Sequence, residues 1–165
     1  MRIGKEIALE AKKKGICGPW YKDMLMVTTF KHLAEMYFKG DDWAMEHDFP
    51  TLEMCRTYKG GILPYKMITD EKIAALNLRE AAFFGDCKVQ YTVDGFNVSK
   101  INVRHNSELN IVAKDESILF INLLDDAKVD IDVWDNAQVT VYCYTNRDQI
   151  TFNGNVKIKM KSWEK

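Results

Sequence analysis

Polar and apolar residues follow two rhythms along this chain, and the change of rhythm divides it. Over residues 1–76 the apolar positions recur at helical spacing. Ile3, Ile7, Ala8 and Ala11 form one stripe that ends before Gly15, a natural helix stop. Pro19 fits the first turn of a second helix carrying Trp20, Met24, Leu25 and Val27. Thr28 or Thr29 can cap a third, where Phe30, Leu33, Ala34, Tyr37 and Phe38 line one face as far as Gly40. Asp41 opens a fourth that Pro50 ends, Thr51 opens a fifth, and "TDEKIAALN" at 69–77 predicts one more. Helices this short are not stable alone in water and must pack on something.

From about residue 77 the period becomes two. "AKVDIDVWDN" at 127–136 is followed by "AQVTVYCYTN" at 137–146, nearly the same pattern again. The ten-residue unit runs back through 117–126, 107–116, 97–106 and 87–96, and more loosely to 77–86. In successive units the third, fifth and seventh places read Val89/Tyr91/Val93, Ser99/Ile101/Val103, Leu109/Ile111/Ala113, Leu119/Ile121/Leu123, Val129/Ile131/Val133 and Val139/Val141/Cys143. The ninth and tenth are turn formers such as Asp125-Asp126 and Asp135-Asn136. Self-similarity of this kind marks a repeat architecture. After Asn146 the beat slips: Ile150 and Phe152 come one place late, as a bulge would produce. Val156, Ile158 and Met160 then alternate with Lys157, Lys159 and Lys161, an atypical terminal repeat whose lysines discourage another edge from adding on.

These patterns predict an α+β chain, with a small helical domain over 1–76 followed by a β-solenoid over 77–165. Two ten-residue units make one coil, their strands on opposite walls and their third, fifth and seventh side chains meeting between them. The alternative is an antiparallel β-meander packed on the helices. Regular unit length, with Asp-rich corners in place of Asn-Gly, favours the coil.

A coil sorts the outward side chains by wall. One wall shows Lys88, Gln90, Thr92, Asp94, Glu108, Asn110, Lys114, Lys128, Asp130 and Asp132, a solvated set broken by Val112 and Trp134. The other shows Val98, Ile118, Phe120, Leu124, Tyr142 and Tyr144 among Lys100, Asn102, Arg104, Gln138 and Thr140. An apolar surface of that size calls for cover by the helical half, a second copy or a foreign protein. The candidate interface is therefore Ile118, Phe120, Leu124, Tyr142 and Tyr144, with Trp134 on the opposite wall.

Composition narrows the function further. The chain is 47% hydrophobic and 28% charged with a formal net charge of −1, a foldable mixture with no global field for nucleic acid or anionic lipid. No stretch has the run of apolar residues a membrane-spanning helix needs. Neither a nucleic-acid nor a membrane partner is expected, although the tail "KIKMKSWEK" clusters basic and aromatic residues. Cys17, Cys55, Cys87 and Cys143 are scattered without metal-ligand spacing, which suits reduced thiols in the cytoplasm. Phosphate-binding, dinucleotide, nucleophile-elbow and zinc motifs are missing, so no cofactor or metal is expected.

Corner carboxylates Asp115, Asp125, Asp126 and Asp135 suggest a second reading, a carbohydrate- or ion-binding module. The glycines of Ca²⁺-binding rolls are absent, however. A third reading is a small enzyme using Cys17, His47 or His105 where helices meet the solenoid.

"DDAKVDIDVWDNAQVTVY" resembles the D-N-A-x-V-x-A/V repeats of uncharacterised bacterial proteins from phages and mobile elements. "ALEAKKKGICGPWYKDML" with "YFKGDDWAMEHDFP" resembles the short helical leader such proteins carry. The resemblance implies an accessory protein of a phage or mobile element and transfers no catalytic residue. This chain departs from the pattern in placing bulky Ile, Leu and Val where those repeats often use Ala. The function expected is a noncatalytic protein-interaction or structural scaffold.

Overall fold

In the computed structural model, which describes residues 3–163, six helices come first in the chain and parallel strands follow. The chain divides into two compact units, one ending at Tyr65 and the other beginning at Lys66.

The first unit holds α1 (Ile3–Lys13), α2 (Gly18–Leu25), α3 (Phe30–Lys39), α4 (Asp41–Glu46), α5 (Leu52–Thr57) and α6 (Lys59–Ile62), closed by a 3-10 turn at Leu63–Tyr65. Their ends follow local chemistry. Gly15 sits at φ +85, the left-handed conformation that stops α1. The Thr29 hydroxyl accepts from the His32 N–H at the start of α3, and Thr51 does the same for Met54 at the start of α5. Ile7, Ala8 and Ala11 of α1 are buried, as are Leu33, Ala34 and Tyr37 of α3, so the stripes expected from spacing are the buried faces. Gly4 lets α1 approach α2 closely: a Cβ there would collide with the Met24 carbonyl oxygen.

The second unit is a parallel β-solenoid. Its strands are β1 (Met67–Thr69), β2 (Lys72–Leu76), β3 (Glu80–Phe84), β4 (Lys88–Val93), β5 (Val98–Val103), β6 (Glu108–Ala113), β7 (Ile118–Leu123), β8 (Lys128–Val133), β9 (Gln138–Cys143), β10 (Ile150–Asn153) and β11 (Val156–Met160). Odd strands form one sheet in the order β1-β3-β5-β7-β9-β11, and even strands the other in the order β10-β8-β6-β4-β2. Every pairing is parallel and joins strands two apart in the chain, which rules out the meander. Ile111 lies beside Tyr91 and Ile131, and Ile121 beside Ile101 and Val141, one coil of twenty residues separating each neighbour. These side chains fill a continuous seam between the sheets, with Ile101, Ile121, Ile131 and Val141 wholly buried. Branched aliphatics suit strands buried in this way.

The corners explain the repeat length. His105, Asp115, Asp125 and Asp135, each in ninth place, adopt positive φ between 53 and 60, as do Gly85 and Gly95 at 70 and 59. A side chain at this place in one coil accepts the N–H of its counterpart in the coil before. Asp115 Oδ2 takes Gly95 N at 2.9 Å, Asp125 Oδ2 takes His105 N at 3.0 Å, and Asp135 Oδ2 takes Asp115 N at 3.1 Å. His105 Nδ1 likewise accepts from Gly85 N. Aspartate tolerates the left-handed bend and supplies the acceptor, so one residue type meets both needs.

Two expectations are corrected. The helix expected over "TDEKIAALN" is β2: Ile73 pairs with Val89 and Ala75 with Tyr91, both facing the core. Asp70 and Asn77 are corner residues at positive φ, not helix-end signals, and Asp70 Oδ1 accepts from Asp86 N. The solenoid therefore begins before residue 77. The slip after Asn146 is not a bulge; a 3-10 turn at Arg147–Gln149 delays the chain, so that Ile150 meets Val129 and Phe152 meets Ile131. Gln149 Nε2 ties that turn to the Asp125 and Ala127 carbonyls.

Ser99, the polar exception among inward positions, belongs to a closed polar node. Its hydroxyl donates to the Leu78 carbonyl and lies 2.6 Å from Tyr91 Oη, which in turn accepts from Leu78 N. Burial pushes the Tyr91 hydroxyl pKa up. Tyr91→Phe leaves Leu78 N without this acceptor, so a loss of about 1–3 kcal/mol is expected by denaturant titration. Ser99→Ala in the same background should then cost less than it does alone, because the Tyr91–Ser99 contact is already gone and the Ser99 bond to the Leu78 carbonyl is what remains to be lost.

Candidate functional site

The outer face of the six-stranded sheet is built in columns of residues twenty apart from β5 to β9, and seventeen apart from β9 to β11. Ile118 stands between Val98 and Gln138, and Phe120 between Lys100 and Thr140. The next column runs Asn102, Asn122, Tyr142, Lys159. Beyond it come Arg104, Leu124, Tyr144 and Lys161, whose backbone N–H groups bond successive coils.

Burial splits this face. Val98 is 54% exposed beside half-buried Ile118 and Phe120, which makes one accessible aliphatic and aromatic cluster. Leu124 is 3% exposed, so it is covered and not part of that accessible cluster. Asn102 and Asn122 are buried too, joined by an amide bond of 2.8 Å from Asn122 Nδ2 to Asn102 Oδ1. Arg104 is 3% exposed, and its Nε donates to Asp125 Oδ2 at 3.0 Å. Tyr142 and Tyr144 remain half-buried at the far end. There Tyr144 stacks on Trp163 with centroids 4.3 Å apart, and Lys159 and Lys161 each lie 5.7 Å from the Tyr142 ring. The candidate interface is thus two clusters: Ile118 and Phe120 with Val98, and Tyr142 and Tyr144 with Trp163 and the lysines, the second continuing the column of the Asn102–Asn122 ladder.

Trp134 lies on the other sheet's side, just past β8, and is 63% exposed. Around it the outward set is charged or polar as expected: Lys88, Gln90, Glu108, Asn110, Lys128 and Asp130 are all exposed. Glu108 lies between Lys88 and Lys128 across the strands and reaches Lys88 Nζ at 2.8 Å. That hydrogen bond holds its carboxyl below the usual range.

The groups considered for chemistry are largely engaged in structure. Asp115, Asp125 and Asp135 accept backbone N–H groups at the corners, which leaves exposed Asp126 as the carboxylate of that set outside the ladder. Among the described residues no group of three or more His, Cys, Asp or Glu could hold a metal ion. His47 stacks on Trp43 at 4.6 Å, its Nδ1 2.9 Å from the Trp43 carbonyl oxygen. All four cysteines are free thiols, Cys17 exposed at the start of α2 and the others buried. Burial raises the Cys87 pKa, the wrong direction for a nucleophile. A groove of about 810 Å³ in the helical unit is lined by Glu6, Leu9, Glu10, Thr51, Met54 and Tyr58 among others, with Tyr58 Oη donating to Glu6 at 2.8 Å. No helix among the described residues is long and apolar enough to cross a membrane.

Sequence reasoning missed Trp163, the Arg104–Asp125 pair and the Asn102–Asn122 ladder. The columns were readable in principle, since Asn occupies the sixth place in two successive units of that wall and Arg104 precedes Asp125 by twenty-one residues. Comparison with protein-family models, curated proteins and solved structures finds no match to this chain.

Proposed function

We propose that this protein is a noncatalytic scaffold that binds another protein, or a second copy of itself, through the outer face of its six-stranded sheet. The observation that carries this reading is the cluster of Val98, Ile118 and Phe120, aliphatic and aromatic groups turned outward from a rigid parallel sheet. The engagement of corner carboxylates and histidines in fixed hydrogen bonds supports a structural over a catalytic use of those residues. The resemblance of the repeats to those of phage and mobile-element proteins supports an accessory role in such an element.

Phe120→Asp tests the reading by light scattering and thermal melting. It should lower the solution mass if copies pair here, or destabilise by about 1–2 kcal/mol, less than the removal of a fully buried Phe because the ring is half-exposed. Gln90→Asp, exposed on the outer face of the other sheet, should do neither. An unchanged mass together with an unchanged melting midpoint for Phe120→Asp would rule out self-pairing at this face and any cover of it within the chain.

A further inference from the structure

At its β11 edge the same sheet carries a second kind of surface, which shares Lys159 with the Tyr142 cluster and does not involve Val98, Ile118 or Phe120. We infer that the free edge of β11 docks an extended peptide in which acidic and apolar residues alternate, added as the next strand of the sheet. Among the described residues β11 is the last strand of its sheet and pairs with β9. The ladder fixes which backbone groups are committed: Lys161 N donates to the Cys143 carbonyl, and the Asn155 carbonyl accepts from Val139 N. In a strand the N–H and C=O of one residue point the same way and alternate along the chain. Residues 155, 157, 159 and 161 therefore turn their backbone toward β9, and Ile158 and Met160 turn theirs to the open edge.

The side chains specify the occupant. On the inner side, half-buried Val156 and Ile158 and 55%-exposed Met160 end the apolar seam unfinished, so an added strand with apolar residues on that side prolongs it. On the outer side, Lys157 and Lys159 are exposed at alternate places, about 6.6 Å apart. Inside the solenoid, lysines are already paired with a carboxylate from the neighbouring coil: Glu108 stands between Lys88 and Lys128. Carboxylates at alternate positions of an added strand would sit in the same relation to Lys157 and Lys159. The same lysines exclude another copy of this chain. A β11–β11 pair sets lysine against lysine, and β1, Met67–Thr69, has no carboxylate to offer. The lysines guard the edge against self-pairing and select for an acidic strand. Strand addition of this kind takes affinity from main-chain bonds and specificity from alternating side chains.

Fluorescence anisotropy with a labelled Glu-Val-Glu-Ile-Glu-Val-Glu peptide tests the inference. Saturable binding is expected, weakened about tenfold or more by Lys157→Glu with Lys159→Glu. Comparable weakening is expected when alternate peptide nitrogens are methylated, which removes strand pairing and leaves charge unchanged. Circular dichroism of the double variant, and the milder Lys159→Gln, separate lost binding from lost folding. No binding would overturn the inference. So would equal affinity for a scrambled acidic peptide or for the methylated one, since charge alone would then suffice. Tighter binding of a short oligothymidylate would assign the lysines and the nearby Tyr142 to nucleic acid instead.

Discussion

Ile121→Ala is expected to destabilise the solenoid unit by about 2–5 kcal/mol, measured by denaturant titration. Ile121 is wholly buried, flanked in its sheet by Ile101 and Val141, and truncation leaves a cavity that rigid strands on either side cannot close. Because each coil touches only its neighbours, a central site damages two coil interfaces at once. The same truncation at Ile158, in half-buried terminal β11, should have a visibly smaller effect. Equal losses at the two positions would mean that the seam is not stacked as described.

Asp125→Ala should be the most damaging corner substitution, by about 2–4 kcal/mol. Asp125 accepts from the buried Arg104 guanidinium at 3.0 Å and from His105 N at 3.0 Å. Removing one partner of a buried ion pair leaves a charge in a poor environment. The figure stands below that for a fully buried pair because the Asp125 side chain is 38% exposed. Alanine must also adopt φ near 57, which lacks the tolerance of Asp, Asn or Gly. Asp135→Ala, which loses a bond to Asp115 N and no arginine, should be milder, near 1 kcal/mol. Asp125→Asn keeps the bend and an acceptor while removing the charge, so it should fall between the two. Matching losses for Asp125→Ala and Asp135→Ala would show that Arg104 does not depend on its carboxylate partner.

These residues also show what can be read from sequence and what cannot. The alternation of Val129, Ile131 and Val133, repeated at ten, is enough to place them inward, because side-chain direction in a strand is strictly alternate. The partition into two outward walls comes from the same arithmetic, and Thr29, Thr51 and Gly15 announce helix ends through local hydrogen bonding and backbone freedom. What escaped depends on neighbours in the adjoining coil. Asp70 reads equally well as a helix start or a left-handed corner, and only its bond to Asp86 N decides. Leu124 and Phe120 look alike as outward apolar residues, yet one is buried and the other half-exposed. Asn102 and Asn122 look solvated until their buried amide bond is seen. Periodicity reports direction, whereas burial depends on what lies across a surface.

The parallel stacking of every second unit is the claim on which the remainder rests, and a distance measurement between Gln90 and Asp130 addresses it most directly. Both lie on β strands of the five-stranded sheet, with Asn110 between them in register. Spin labels on cysteines at these two positions, in a Cys17→Ser background that removes the exposed native thiol, report their dipolar coupling. Two strand spacings place the backbones about 10 Å apart in the solenoid, giving strong broadening. Sequential pairing of the units would put four spacings, about 19 Å, between them, and the weak coupling expected there would contradict the coil.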